Sequence, residues 1–355
     1  MKPLKRIAIT TGAILIIGAA ALTARTLIMG GMFADVTPGF SGTCKALKGI
    51  TGAEDIAVDR QSGLVFLSAS DRRANPPSSA DGIYTLSLAH PESGIVRLAG
   101  APPDFHPHGI SLFRAADGSL TLMAVNHLSA GRSAIDIFDV SIGDGQAKLS
   151  ETGDIESDKL ISPNDVAAVG KQQFYVTNDH GSHTKIGMTL ENYLMLPRAD
   201  VLYFDGMVFR EVANDLVFAN GIALSPDYSH LYVAETTARR LQTYARDPFS
   251  GRLTPENTLA LPSGPDNIDV DPKGDLWVAT HTKLFGVLTY AKDPSKPSPS
   301  EIYRVDVDKS IPQSVTPVYA NLGQEIGAAS VGTSADGHLF IGSIFDPKIL
   351  DCRLP

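Results

Sequence analysis

The sequence predicts an all-β fold, a six-bladed β-propeller closed by a disulfide, with an N-terminal hydrophobic helix and a helical insertion over one face. Three observations predict it. A phrase of two lead residues, a strand, a tight turn and a second strand occurs six times. The phrase returns about every 50 residues, which is the period of propeller blades. Two cysteines lie just outside the first copy and just after the last.

Each copy of the phrase contains a turn that a tight strand connection requires. The turns lie at Gly63, Gly118, Gly170, Pro226-Asp227, Gly274 and Gly337. The copies begin at Glu54, His108, Asn164, Asn220, Asp266 and Ala329. Further strand-like segments, such as residues 134–138 and 301–305, lie between the copies and allow four strands per blade. A sandwich or a barrel is the alternative architecture.

Two segments interrupt the strand pattern. Residues 182–200 have apolar side chains at helical spacing and predict an amphipathic insertion between strands of the third blade, over one face of the ring. These side chains are Ile186, Leu190, Tyr193, Leu194 and Leu196. Residues 291–300 are rich in Pro and Ser and predict a surface loop.

The N-terminus has the pattern of an export signal, with three basic residues before an apolar stretch of residues 7–22. The basic residues are Lys2, Lys5 and Arg6. We expect an uncleaved signal-anchor; the alternatives are a signal peptide removed near Ala24 and a buried N-terminal helix. The basic residues would stay on the cytoplasmic side. The body would then be exported, to the periplasm or the extracellular space, and tied to the membrane through the N-terminal helix.

Composition agrees with a globular domain. The chain has 355 residues, of which 43% are hydrophobic and 19% charged, and its net charge is -9. This length allows a sizeable core. Lys and Arg form no dense run after the N-terminus, so nucleic acid is not an expected partner. We divide the chain into a leader helix, residues 1–30, and one propeller domain, residues 40–355, which would carry the catalytic site.

Cys44 and Cys352 lie at the start and the end of the predicted ring. Export would allow them to oxidise. Pairing would close a loop of about 300 residues, for which the loop-entropy model gives roughly 5–6 kcal/mol. We expect a disulfide that joins the first and last blades. Two unpaired buried thiols are the alternative.

The lead positions carry hard oxygen donors. If the first strand of each copy is innermost, the lead side chains converge near the axis of the ring. They offer two carboxylates and three amides, from Glu54, Asn164, Asn220, Asp266 and Asn267. Oxygen ligands of this kind select calcium or magnesium rather than zinc, and their number favours calcium. Asp55 and Asp165 could form a second site. Any single pair alone would be an ordinary turn.

Four histidines occupy related positions. His108 has a lead position beside the proposed metal, where a neutral imidazole could take a proton from water. His127, His180 and His281 end the second strands of their copies and could surround the same opening as parts of the substrate pocket. His127 could also orient His108. A structural role is the alternative for each of these histidines.

These residues resemble the paraoxonases, the serum paraoxonase/arylesterase family. The likeness covers nearly the whole chain after residue 40, in GAEDIAVD, HPHGIS, VNH, NDVAAVG, FYVTNDH, FANGIALSPD and DNIDVDPKGDLWV. The combination of HPHGIS, FYVTNDH and the terminal cysteines is specific to it. The resemblance implies a six-bladed propeller with two calcium ions in its tunnel. It implies calcium-dependent hydrolysis of lactones, with aryl-ester and phosphotriester (organophosphate) hydrolysis as side activities.

The resemblance also implies roles for individual residues. The catalytic calcium would be held by the five residues Glu54, Asn164, Asn220, Asp266 and Asn267. A structural calcium would use Asp55, Asp165 and the backbone carbonyl of Ile110. His108 and His127 match the proposed base and its partner, and His281 matches a pocket histidine. Asn164 and Asn220 could also steady an oxyanion in the substrate pocket.

The chain departs from the animal enzymes at Thr280, where they have a cysteine. Two other functions are considered. A gluconolactonase-type sugar lactonase with one metal would lack HPHG and the cysteine pair, both of which are present here. A non-catalytic propeller that binds a protein or a glycan would have no need of the histidines.

Overall fold

The computed structural model describes residues 2–143 and 145–355, and within the first helix it describes the side chains of residue 11 and residues 13–29. The basic residues on which the leader prediction depends, Lys2, Lys5 and Arg6, have side chains outside the described part of the helix. Within the described ranges, we find no helix with both the length and the apolar character needed to cross a membrane.

The described residues form three α-helices, one 3-10 turn and 24 strands. In chain order these are α1 (Lys2–Met29), β1 (Thr43–Lys48), β2 (Ala53–Asp59), β3 (Leu64–Ala69), β4 (Gly82–Ser87), the 3-10 turn (Pro91–Ser93), β5 (Val96–Arg97), β6 (Pro107–Arg114), β7 (Leu120–His127), β8 (Ser133–Gly143), β9 (Gln146–Glu156), β10 (Pro163–Ala168), β11 (Phe174–Asn178), α2 (Lys185–Leu194), β12 (Ala199–Phe204), β13 (Phe209–Leu216), β14 (Ala219–Leu224), β15 (His230–Glu235), β16 (Arg240–Arg246), β17 (Leu253–Ala260), β18 (Gly264–Val270), β19 (Leu276–His281), α3 (Leu284–Lys292), β20 (Ser300–Asp308), β21 (Ile311–Asn321), β22 (Ala329–Ala335), β23 (His338–Ser343) and β24 (Lys348–Arg353).

The strands form six four-stranded antiparallel sheets. Blades one to five each consist of four consecutive strands, β2–β5, β6–β9, β10–β13, β14–β17 and β18–β21. The sixth blade contains β22, β23 and β24 and is completed by β1 from the other end of the chain. The six-bladed β-propeller predicted from the repeat is confirmed.

Closure of the ring depends on strand β1. It pairs antiparallel with β24, and Cys44 lies directly opposite Cys352. The predicted disulfide between them is confirmed. Both cysteines, however, belong to the sixth blade, so pairing of β1 closes the ring and the disulfide secures β1 in its place.

The hydrophobic core is divided among the spaces between blades. Six clusters of buried side chains each join two neighbouring blades, and one of them spans the closure. At the closure, Phe340 and Ile349 of blade six pack with Leu67 and Tyr84 of blade one. Central strands such as β3 are buried on both faces, which explains their continuous apolar sequence LVFLSA.

Every innermost strand has a register irregularity at its lead position. The shifts lie at residues 53–55, 107–110, 163–166, 219–222, 265–268 and 329–331. A β-bulge of this kind re-aims side chains and is common beside active sites. As a result Glu54 lines a cavity at one end of the channel, while the next residue, Asp55, lines a cavity at the other.

Three helices surround one end of the channel. Helix α2 lies within the predicted insertion, residues 182–200, and Thr184 caps its N-terminus by accepting a hydrogen bond from the Gly187 N–H. Helix α3 was not predicted; its sequence, LFGVLTYAK, has apolar residues without a clear period. Side chains from both helices and from the end of α1 line the same cavity.

Candidate active site

The cavity ringed by the three helices has a volume of about 520 Å³ and reaches the lead residues of the innermost strands. Glu54, Asn164, Asn220 and Asp266 line it, together with His108 and His281. The structure thus brings together lead residues of five blades that are distant in sequence. The fifth predicted ligand, Asn267, is fully buried beside Glu54.

Each amide of the predicted ligand set uses its NH₂ group to hold a neighbouring acid. Asn267 Nδ2 donates to Glu54 Oε1 at 2.9 Å, and Asn220 Nδ2 donates to Asp266 Oδ1 at 2.5 Å. Asn164 Nδ2 donates to Asp179 Oδ2 at 3.3 Å. Because the nitrogen of each amide is used in this way, its oxygen is directed elsewhere.

Four oxygen atoms of this set are buried and make no hydrogen bond within the described residues. They are Glu54 Oε2, Asn164 Oδ1, Asn220 Oδ1 and Asn267 Oδ1. An unsatisfied buried acceptor costs about 1–3 kcal/mol, so four together are unusual in a native protein. Carboxylate and amide oxygens are the ligands that calcium prefers. The residues present therefore fit a calcium ion.

A search limited to His, Cys, Asp and Glu does not reveal this set. In the described part of the chain, no three such side chains are grouped so that they could hold a metal. Three of the five predicted donors are amides, which such a grouping leaves out. The unsatisfied oxygens, rather than a cluster of acids, are the structural signal here.

Backbone contacts hold the acid at the centre of the site. The Glu54 carbonyl accepts hydrogen bonds from Ser330 Oγ at 2.7 Å and from Asn267 Nδ2 at 3.0 Å. Ser330 belongs to the sixth copy of the phrase, which offers no strong ligand but fixes the first copy. Gly109 is required by close approach, because a Cβ there would lie 2.2 Å from Asp165 Oδ1.

Asp55 and Asp165 line the cavity at the other end of the channel. Both oxygens of each acid accept backbone N–H groups; those of Ile110 and Ile222 bind at 2.8 Å. Burial and the Glu54 carboxylate raise the pKa of Asp55 to about 8. Burial and Asp55 raise the pKa of Asp165 well above its ordinary value. A cation bound beside these two buried acids would stabilise their charged forms.

His108 and His127 form a pair at the edge of the site. His108 Nδ1 lies 2.9 Å from His127 Nε2, and His127 Nδ1 lies 3.1 Å from Ser133 Oγ. His108 Nε2 lies 3.4 Å from Glu54 Oε1. Burial, with a smaller contribution from His108, lowers the pKa of His127 to about 3. His127 is therefore neutral at physiological pH.

The other two histidines each contact an acid at the cavity. His281 Nε2 lies 2.7 Å from Asp266 Oδ2. His180 Nδ1 lies 2.6 Å from Asp179 Oδ1, and its Nε2 lies 3.1 Å from Asn192 Oδ1 on α2. Although burial opposes it, the hydrogen bond and charge of Asp179 raise the pKa of His180. Of this pair, Asp179 lines the cavity, and His180 lies behind it.

Several side chains at the site were not predicted from the sequence. Thr236 links two blades, since its hydroxyl accepts from Asn220 Nδ2 and donates to the Pro265 carbonyl at 2.6 Å. Arg72 lines the cavity, and burial lowers its pKa against the attraction of Glu54 and Asp266. Asp179 follows a strand in the phrase FYVTNDH, which could have identified it; Arg72 lies in an irregular segment without such a signal.

A family model described as Arylesterase matches residues 41–354. The chain belongs to the arylesterase family. It is 34% identical over 330 residues to serum paraoxonase/arylesterase 2 of Gallus gallus, which covers 90% of this chain and 91% of that protein. It is 33% identical over 331 residues to serum paraoxonase/arylesterase 1 of Homo sapiens, with the same shares covered. The family resemblance found in the sequence is confirmed, and membership supports a hydrolase.

Solved propellers share the fold of this arylesterase-family chain. A luciferin-regenerating enzyme superposes with a TM-score of 0.51 at 13% identity, over 88% of this chain and 95% of that one. Regucalcin from Agrobacterium tumefaciens, described as a calcium-binding protein, gives 0.52 at 14% identity, over 89% and 96%. At such identities the likeness establishes the architecture alone.

Proposed function

We propose that this arylesterase-family chain is a calcium-dependent hydrolase of lactones that also accepts aryl esters and phosphotriesters. One observation carries the proposal. Four unsatisfied oxygens come from four blades; three of their residues line a cavity with a paired histidine and apolar walls, and the fourth, Asn267, is buried beside Glu54. The relatives named serum paraoxonase/arylesterase support the same class of substrate.

Glu54, Asn164, Asn220, Asp266 and Asn267 would hold the catalytic calcium. When bound, the ion would supply Lewis acidity that polarises a carbonyl or phosphoryl oxygen and stabilises the oxyanion. Asp55, Asp165 and the Ile110 carbonyl would hold a second, structural calcium. The ion would offset the repulsion between these two buried acids, which is met otherwise by hydrogen bonds from backbone N–H groups.

The histidine pair would handle the proton. If His127 donates its Nδ1–H to Ser133 Oγ, its Nε2 accepts from His108 Nδ1–H, and His108 Nε2 is left free to accept a proton. A water attacks the carbonyl carbon of the lactone while its proton passes to His108 Nε2. The ring C–O bond then breaks, the alkoxide oxygen takes that proton, and a hydroxy acid is formed.

The walls of the cavity fit an acyl chain rather than a sugar. Met195 lines it from the end of α2, Phe218 from the segment before β14, and three residues from α3, namely Leu284, Phe285 and Leu288. A sugar ring would need several polar partners that such side chains do not provide. This supports lactones with an apolar chain as substrates.

We also propose that the protein is exported and is held at the membrane through its N-terminal helix. The described side chains of α1 include four consecutive apolar residues that are 63–71% exposed, Ile14, Leu15, Ile16 and Ile17. On α2, Ile186 is 76% exposed on the same side of the ring as the cavity. Exposed apolar side chains on these helices support the proposed contact with lipid. Co-sedimentation of the chain with phosphatidylcholine vesicles, lost on Leu15→Asp/Ile16→Asp substitution, is the expected result.

The catalytic proposal is tested with Glu54→Gln and His108→Gln on lactones, aryl esters and phosphotriesters, with calcium and after chelation. Both changes should lower kcat/KM by at least about 100-fold. Calcium affinity, measured by calorimetry, should fall for Glu54→Gln and stay unchanged for His108→Gln. Glu151→Gln, an exposed acid on β9, is the matched control. Retained turnover in both site variants would contradict the proposed site, and absence of turnover in the unmodified protein would favour a binding module.

A further inference from the structure

The last turn of α1 lies at the active-site cavity. Thr26, Met29 and Gly30 line the same cavity as Glu54 and His108. Ile28, one residue before Met29 and so on another side of the helix, is 57% exposed. One side of the C-terminal turn of the N-terminal helix therefore forms part of the pocket.

Four hydrogen bonds from outside α1 secure this turn. Arg239, in the turn before β16, donates from Nε to the Met29 carbonyl at 2.9 Å and from Nη2 to the Ile28 carbonyl at 3.2 Å, and thereby satisfies two of the carbonyls that a helix leaves open at its end. Thr26 Oγ1 donates to the carbonyl of Tyr193, in α2, at 2.7 Å. The carbonyl of Gly30 accepts from the Leu284 N–H, at the start of α3, at 3.1 Å.

The turn is also fitted closely against the propeller. Gly31 follows it with φ of 73°, and a Cβ there would lie 1.7 Å from the Thr282 carbonyl oxygen. A residue other than glycine would force the segment away from β19 and α3. Close backbone approach, helix capping and side-chain hydrogen bonds thus define one position for the end of α1.

We propose that residues 26–30, at the end of the N-terminal helix, form a wall of the substrate pocket and that Met29 determines the length and width of the acyl group accepted. The inference rests on the proposed function for its substrate class. The helix is then part of the catalytic unit, and removal of the leader would open the pocket on one side. Met29 suits this position because its unbranched thioether adapts to chains of different shape.

Thiol labelling tests this wall in the full-length protein. Both native cysteines are in the disulfide, so Met29→Cys or Ile28→Cys supplies the free thiol that reacts. Each variant is labelled with pyrene-maleimide and assayed with a dodecanolactone and with butyrolactone. Labelled Met29→Cys should lose at least about tenfold in kcat/KM for the long lactone, and labelled Ile28→Cys less than about twofold.

Two further measurements test the wall formed by residues 26–30. Met29→Ala, which widens the pocket, should shift the ratio of kcat/KM values toward the bulkier lactone; an unchanged ratio together with full activity of labelled Met29→Cys would overturn the proposal. If the unmodified protein hydrolyses no lactone or ester, the proposed function fails separately. The wall is then examined by labelling rates, which dodecanoic acid should slow at residue 29 and leave unchanged at residue 28. Equal rates at both positions would refute it.

Discussion

Replacing Cys44 and Cys352 by alanine would release β1 from its covalent link to β24. The two cysteines are separated by 308 residues, and the loop-entropy model gives about 6 kcal/mol for a loop of that size at 25 °C. Divided by the unfolding entropy expected for a chain of 355 residues, this loss of free energy corresponds to a decrease of about 8 °C in Tm. The reason is that the unfolded chain gains freedom, while the six paired residues of β1 lose no backbone partner.

Calorimetry and guanidinium unfolding of the oxidised protein and of the double variant would measure this loss. A single Cys44→Ala variant separates lost packing from lost cross-linking, because it breaks the disulfide and changes just one side chain. We expect equal stability for the single and the double variant. A loss below about 1 kcal/mol for the double variant would refute it, because the unfolded chain would then not be restrained by the link.

Three more outcomes are expected. Gly109→Ala should lower the free energy of unfolding by at least about 2 kcal/mol, since its Cβ would meet Asp165 Oδ1 at 2.2 Å, whereas Gly153→Ala, with open space around it, should have little effect in the same urea titration. Burial raises the pKa of Asp136 to about 7, so the contribution of its protonated form to the free energy of unfolding is complete below about pH 4 and is lost as pH rises through about 7. Asp136→Asn keeps the hydrogen bond from Asn126 and should remove up to about 4 kcal/mol of this pH dependence. If the free energies of unfolding of the variant and of the unmodified protein change with pH in parallel, the prediction is wrong. Chelation of calcium should lower Tm and abolish lactone turnover together, with both restored by added calcium; an unchanged Tm would argue against an ion in the channel.

The ring could be predicted because it is repetitive. Six copies of one phrase specify the number of blades, and equivalent positions in a ring converge, so the lead residues from Glu54 to Asn267 could be placed near each other without a structure. The geometry of the individual oxygens could not be predicted, because it depends on bulges and on hydrogen bonds such as that from Asn220 to Asp266. The period of the repeat predicts which residues occupy equivalent positions in the blades, but not the direction in which an amide side chain points.

The parts that lack repetition were harder to predict. The apolar sequence of α3 would also suit a strand. The position of this helix depends on contacts with α1 and on stacking of Phe285 against Tyr193. The disulfide was expected from the end positions of Cys44 and Cys352, but its location within one blade depends on which strand completes the sixth sheet. Such contacts between distant segments leave no local pattern in the sequence.

Because β1 is made first and its neighbour β24 last, the ring stays open until synthesis is nearly finished. Until the two ends of the chain meet, the sixth blade lacks its outer edge. If the chain is exported unfolded, as proposed above for a leader helix, chaperones and thiol oxidants of the receiving compartment would act on a nearly complete but unclosed molecule.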